Sequence, residues 1–125
     1  MAAIKSKDTK PEMQVRRFLH GLGFRYSLHR KDLPGKPDIV LPKYKTLIFI
    51  HGCFWHHHPG CKYAYTPKSR TDYWLEKFQK NTARDQIVTN QLGKLGWRVI
   101  IIWECEVNNG RYKDWIIEKI VKKIS

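Results

Sequence analysis

The run from Leu47 to Cys61, LIFIHGCFWHHHPGC, constrains this chain more than any other part of it. An apolar, strand-like segment reaches a turn at Gly52. The next nine residues then hold Cys53, Phe54, Trp55, His56, His57, His58 and Cys61. Imidazoles and thiolates are metal ligands, imidazoles also carry protons near neutral pH, and Phe54 and Trp55 stand where a loop is normally polar. Cys53, His58 and Cys61 have the spacing C-x4-H-x2-C, and Cys105 follows the chain's longest apolar run. Together they would form a Cys3His tetrahedron, a closed structural zinc site with no position for water. Such a site would fasten the loop to the end of the 97–103 strand, as a disulfide does elsewhere. Spacing alone leaves His57 and His56 open as the nitrogen ligand. The alternative is a buried apolar Cys105 with two incidental loop thiols.

The odd count of three cysteines argues against a disulfide framework. At 125 residues the chain is expected to form one domain, 1–125. No apolar run reaches the ~20 residues that span a bilayer, and the N-terminus lacks a signal-peptide core, so a cytoplasmic protein without membrane contact is expected. The formal charge of +13 exceeds what solubility needs and favours a polyanionic partner such as nucleic acid.

Thr9-Lys10-Pro11-Glu12 has the form of a capping box that starts a helix, with Val15, Phe18, Leu19 and Leu22 on one face, Arg16 and Arg17 pointing elsewhere, and Gly21 and Gly23 as the stop. Phe24, Tyr26 and Leu28 alternate as in a short strand, and the segment from His29 to Pro37 reads as an ordered loop suited to a phosphate backbone. Residues 37–41 and 46–50 read as a hairpin joined at Pro42-Lys43-Tyr44-Lys45. Helical pattern runs from near Asp72 to Leu95, with Trp74, Leu75, Phe78, Ile87, Val88, Leu92 and Leu95 apolar. Residues 97–103 read as a strand buried on both faces. After a turn at Asn108-Asn109-Gly110, a last helix presents Ile117, Ile120, Val121 and Ile124. The expectation is an α/β domain, a small mixed sheet flanked by helices.

Asp38 is the one charged residue of its apolar strand. A carboxylate there is costly to desolvate unless a cation meets it, and Mg²⁺ shared with phosphate oxygens is one such cation. A hydrogen-bonded strand-start residue is the competing role for Asp38, as helix capping is for Glu12.

The blocks T-K-P-E, P-D-I-V-L-P, F-I-H-G-C-F-W-H-H-H, R-T-D-Y-W and G-W-R-V-I-I-I-W-E-C, in that order over residues 5–107, together resemble the very short patch repair (Vsr) DNA mismatch endonucleases. The resemblance implies a restriction-endonuclease-like core and an enzyme that nicks one strand of double-stranded DNA beside a T:G mismatch. It implies Mg²⁺ at Asp38 and the Ile50 carbonyl, supported by Glu12 through water. His51 and His56 would be the active-site histidines, with His56 the general base oriented by Asp85. Cys53, His58, Cys61 and Cys105 would hold structural Zn²⁺, and Phe54, Trp55 and Trp74 would wedge into the base stack. A monomer acting on nucleoid DNA is expected. Two departures stand out: Ile50 replaces an expected threonine, and Pro59-Gly60 makes the turn before Cys61 one residue longer. A zinc-stabilised DNA-binding module, or a nuclease with another DNA target, is the rival class.

Overall fold

The computed structural model describes residues 9–28 and 30–121. Helix α1 (Lys10–Gly21) starts where Thr9 accepts a hydrogen bond from the Glu12 N–H at 3.3 Å, and it ends before Gly23, whose φ of +90° suits only glycine. Two short strands follow, β1 (Ser27–Leu28) and β2 (Ile39–Leu41), then a 3₁₀ turn at Pro42–Tyr44 and β3 (Thr46–His51). Helix α2 (Thr71–Lys94) leads to β4 (Arg98–Trp103), and α3 (Glu104–Asn109) and α4 (Tyr112–Val121) complete the order.

The sheet runs β1-β2-β3-β4, with β1, β2 and β3 antiparallel in sequence and β4 parallel to β3. Alternation along β3 divides the core in two. Ile48, with Ile39, Leu41, Ile100 and Ile102, packs against Val15 and Leu19 of α1, Val107 of α3, and Tyr112, Ile116 and Ile120 of α4. Leu47 and Phe49, with Val40, pack against Leu33 and Leu92, with Val88 alongside. Helix α2 therefore covers the face opposite to the other three helices. A mixed sheet flanked by helices is the architecture expected.

Several local expectations change. The most apolar strand, β4, is an edge strand: Ile100 and Ile102 are buried, while Val99 and Ile101 are only half-buried under α2. Apolar content reports helices on both faces and carries no information on which strand is central. Residues 104–109 are helical because the Glu106 carboxylate accepts from the Trp103 N–H at 3.0 Å and Gly110, at φ +76°, closes the C-terminus. In α4 the buried positions are Tyr112, Ile116 and Ile120, with Ile117 exposed; Ile124 and the side chain of Val121 lie outside the described residues. Leu75, Ile87 and Leu95 of α2 are exposed too. Arg16 does not point away: it is buried with Glu12, whose carboxylate accepts from the Arg16 guanidinium one turn on.

Candidate active site and metal centre

The hairpin β2–β3 and helix α2 enclose a cleft of about 630 Å³. Asp38, Ile50, His51 and His56 line it from the sheet and the following loop, and Asn81, Arg84, Asp85, Val88 and Thr89 line it from α2. Asp38 precedes β2, and its Oδ2 accepts from the Ile50 N–H at 2.7 Å, which ties the start of one strand to the end of the next. The strand-start hydrogen bond and a place in the cleft therefore coexist.

His51 ends β3 and is buried; its ring lies parallel to that of His56, centroids 3.8 Å apart and planes 5° from parallel. Burial, then the neighbouring His56, pushes the His51 imidazole down to about 4, so it is neutral at physiological pH. His56 bonds through Nδ1 to Asp85 Oδ2 at 2.7 Å. A carboxylate can only accept, so the proton sits on Nδ1, and in the neutral ring Nε2 carries the lone pair.

The second cluster lies past the turn. Cys53 Sγ and Cys105 Sγ stand 3.7 and 3.6 Å from His58 Nδ1, and with Cys61 all four donor atoms lie within 4.8 Å of one another. On a tetrahedral ion with bonds of ~2.3 Å to sulfur and ~2.0–2.1 Å to nitrogen, neighbouring donors sit roughly 3.6 Å apart. The four residues could therefore hold a metal. It is His58, among the three consecutive histidines, that stands between the sulfurs, in a turn where His57 at φ +49° and Gly60 at φ +71° both take the left-handed region. Cys105 reaches the cluster because β4 lies beside β3, and its N–H donates to Cys53 Sγ at 3.4 Å. Burial pushes the Cys53 thiol up to about 12, so that sulfur surrenders its proton when a cation replaces it.

The aromatic side chains of the loop and of α2 interlock. Phe54 meets Trp55 at 5.2 Å and Trp74 and Phe78 at 5.3 Å, all edge to face, and Trp55 and Trp74 lie 6.0 Å apart. All three of Phe54, Trp55 and Trp74 remain partly exposed, beside the exposed Tyr65 and Tyr73. Glu12 lies outside the cleft lining, buried on α1.

Sequence reasoning missed Asn81, whose Nδ2 donates to the Trp55 carbonyl at 2.9 Å. The signal was its position one helical turn before Asp85 on the same face. Asn81, Asp85, Val88 and Leu92 form one stripe along α2. It also missed Arg84, which lines the cleft together with Lys31 and Lys36 of the loop read as suited to a phosphate backbone.

Comparison with known proteins agrees with this arrangement. Residues 1–62 match the family model described as DNA mismatch endonuclease Vsr. The chain is 51% identical over 109 residues to the type II nicking enzyme V.XorIIP of Xanthomonas oryzae, covering 87% of this chain and 79% of that one. It is 50% identical over 124 residues to V.NmeAIP of Neisseria meningitidis serogroup A, covering 99% and 88%. With the DNA mismatch endonuclease Vsr of Escherichia coli it shares 45% identity over 113 residues, covering 90% and 71%. At that identity, over most of each relative's length, the chain belongs to the Vsr family and is a DNA-nicking endonuclease.

Proposed function

We propose that this endonuclease nicks one strand of duplex DNA beside a T:G mismatch, with Mg²⁺ at Asp38 and Zn²⁺ in the Cys53, His58, Cys61 and Cys105 cluster. The observation that carries the reading is the convergence of Asp38, His51, His56 and Asp85 on one cleft, with His56 already bonded to Asp85. The E. coli relative is a mismatch endonuclease by name, which supports the choice of target. The hairpin that brings Asp38 to the end of β3 accords with the restriction-endonuclease-like core implied by the family resemblance.

Asp38 and the Ile50 carbonyl offer the hard oxygen donors that Mg²⁺ takes, in a cleft roomy enough for a hydrated ion. When bound, that ion supplies positive charge against the charge gathering on the phosphate oxygens. His56, with Nδ1 committed to Asp85, takes the proton of the attacking water at Nε2, and Asp85 steadies the imidazolium that results. His51 stays neutral beside it, so the stacked pair carries a single charge. His51 is therefore a poor proton donor for the leaving oxygen at neutral pH. Any part Glu12 takes runs through an intervening water.

Three sulfurs and one nitrogen suit Zn²⁺, and a closed shell confines it to holding the loop. Phe54, Trp55 and Trp74 enter the base stack, where unstacking costs a few kcal/mol and least at a weak pair. The enzyme works as a monomer on nucleoid DNA in the cytoplasm; among the described residues no helix is long and apolar enough to cross a membrane.

Matched, T:G-mismatched and single-stranded oligonucleotides, each with Mg²⁺ and with EDTA, test the proposal. A nick is expected only in the mismatched duplex with Mg²⁺, and equal cutting of the matched duplex would defeat the mismatch assignment. Asp38→Ala should abolish nicking and retain DNA binding.

A further inference from the structure

Lys31 and Lys36 reach the cleft from the loop before β2, and Arg84 reaches it from α2. None of the three takes part in an ion pair or side-chain hydrogen bond with another described residue. The carboxylates of the same cleft are otherwise engaged, Asp85 by His56 and Asp38 by the Ile50 N–H. All three side chains are exposed, and three like charges lining one cleft favour a polyanion there.

The loop that presents the two lysines is held at two points. Leu33 is buried, and Gly35 lies so close to α2 that a Cβ there would run into the Val88 side chain. Gly35 and Lys36 are consecutive left-handed residues, at φ +75° and +50°. For a lysine that conformation is disfavoured and persists only where its surroundings impose it, which is common at sites that grip a ligand.

We propose that Lys31, Lys36 and Arg84 form a clamp for the DNA phosphate cut in this cleft, with the rigid loop on one side and α2 on the other. The proposal rests on the reading of Asp38 and His56 as the cutting groups. Arg84 adjoins Asp85 in sequence, so the helix that orients the base also carries a cation for the phosphate it attacks. The guanidinium offers paired N–H donors to two phosphate oxygens, whereas each lysine acts as a point charge. Gathered along one cleft, the three cations offset the negative charge that grows on the non-bridging oxygens as water adds.

Single-turnover nicking of a T:G-mismatched duplex by Lys31→Met, Lys36→Met, Arg84→Met and Arg84→Lys tests the clamp, with Lys119→Met on the far face as control. Arg84→Met should slow nicking at saturating enzyme by about 100-fold, and Arg84→Lys should recover about tenfold of that. Each lysine variant should slow it by roughly tenfold and lower the slope of log Kd against log salt by about one. Thermal midpoints close to the parent's would show that each variant is folded. Rates and salt slopes within twofold of Lys119→Met would overturn the clamp. Asp38→Ala separates the two ideas: if it is inactive while the clamp variants are normal, the clamp alone falls. If Asp38→Ala still nicks, the reading of the cleft falls and takes the clamp with it.

Discussion

The imidazole of His58 lies flat on the indole of Trp103, centroids 4.0 Å apart and planes 7° from parallel. The same indole meets His51 edge on at 5.2 Å and His56 at 6.5 Å. One ring at the end of β4 therefore packs against the histidine of the Cys/His cluster and both histidines of the cleft. The two clusters share this ring, so an ion held by the four donors would bear on the cleft without taking a chemical part in the proposed reaction.

Stripping the metal should therefore reduce nicking as well as stability. Cys105→Ser removes one of three sulfurs and is expected to lose the ion, to lower the thermal midpoint by about 5 °C or more, and to cost most of the activity. Elemental analysis alongside the nicking assay checks this. Full activity in a protein shown to be metal-free would contradict it.

In the proposed mechanism Asp85 positions the base, His56, through their hydrogen bond. Asp85→Asn keeps the shape of the side chain but lets the amide present either an oxygen or an N–H to His56 Nδ1, so the tautomer is no longer held. The maximal rate should fall by ~10²–10⁴ while substrate affinity barely changes. A variant whose loss lay in KM alone would assign Asp85 to binding instead.

His51 makes stability depend on pH. An unfolded histidine titrates near 6.5, whereas burial, then the neighbouring His56, pushes the folded one down to about 4. Above 6.5 neither state holds the proton. Between 6.5 and about 4 the unfolded chain binds it and the folded chain does not, so stability is lost as pH falls through that window, by about 3 kcal/mol in total. Urea midpoints from pH 7.5 to 4 should show His51→Gln with a shallower decline than the parent. Parallel declines would remove His51 from the account.

Gly35→Ala would place a methyl group in the left-handed region and against Val88. The expected cost is roughly 1–3 kcal/mol of stability, with a displaced loop and weaker DNA binding. Denaturant unfolding and a binding titration measure the two effects, and an unchanged protein would mean that the loop is free to move.

Much of the site was legible because its chemistry is concentrated in one stretch. Cys53, His56, His58 and Cys61 lie within nine residues, and no ordinary core explains such a run. Helix boundaries at Thr9, Gly23 and Gly96 were legible for a related reason: capping oxygens and left-handed glycines are local requirements that a few neighbouring residues satisfy. The hairpin was legible from its two apolar runs and the short turn between them.

What the residues could not disclose depends on partners far away in the chain. That His58 and not its neighbours faces the sulfurs follows from backbone turns at His57 and Gly60 and from Trp103, which arrives 45 positions later on a parallel strand. That β4 is an edge, that Arg16 is buried with Glu12, and that Asn81, Arg84 and Lys36 border the cleft were likewise decided by packing. Residue type and spacing specify which groups are able to react and where helices start and stop, since those depend on bonds spanning a turn or two. Which groups meet is set only when the sheet closes, because burying both of its faces chooses the register and the helix that each side chain must face.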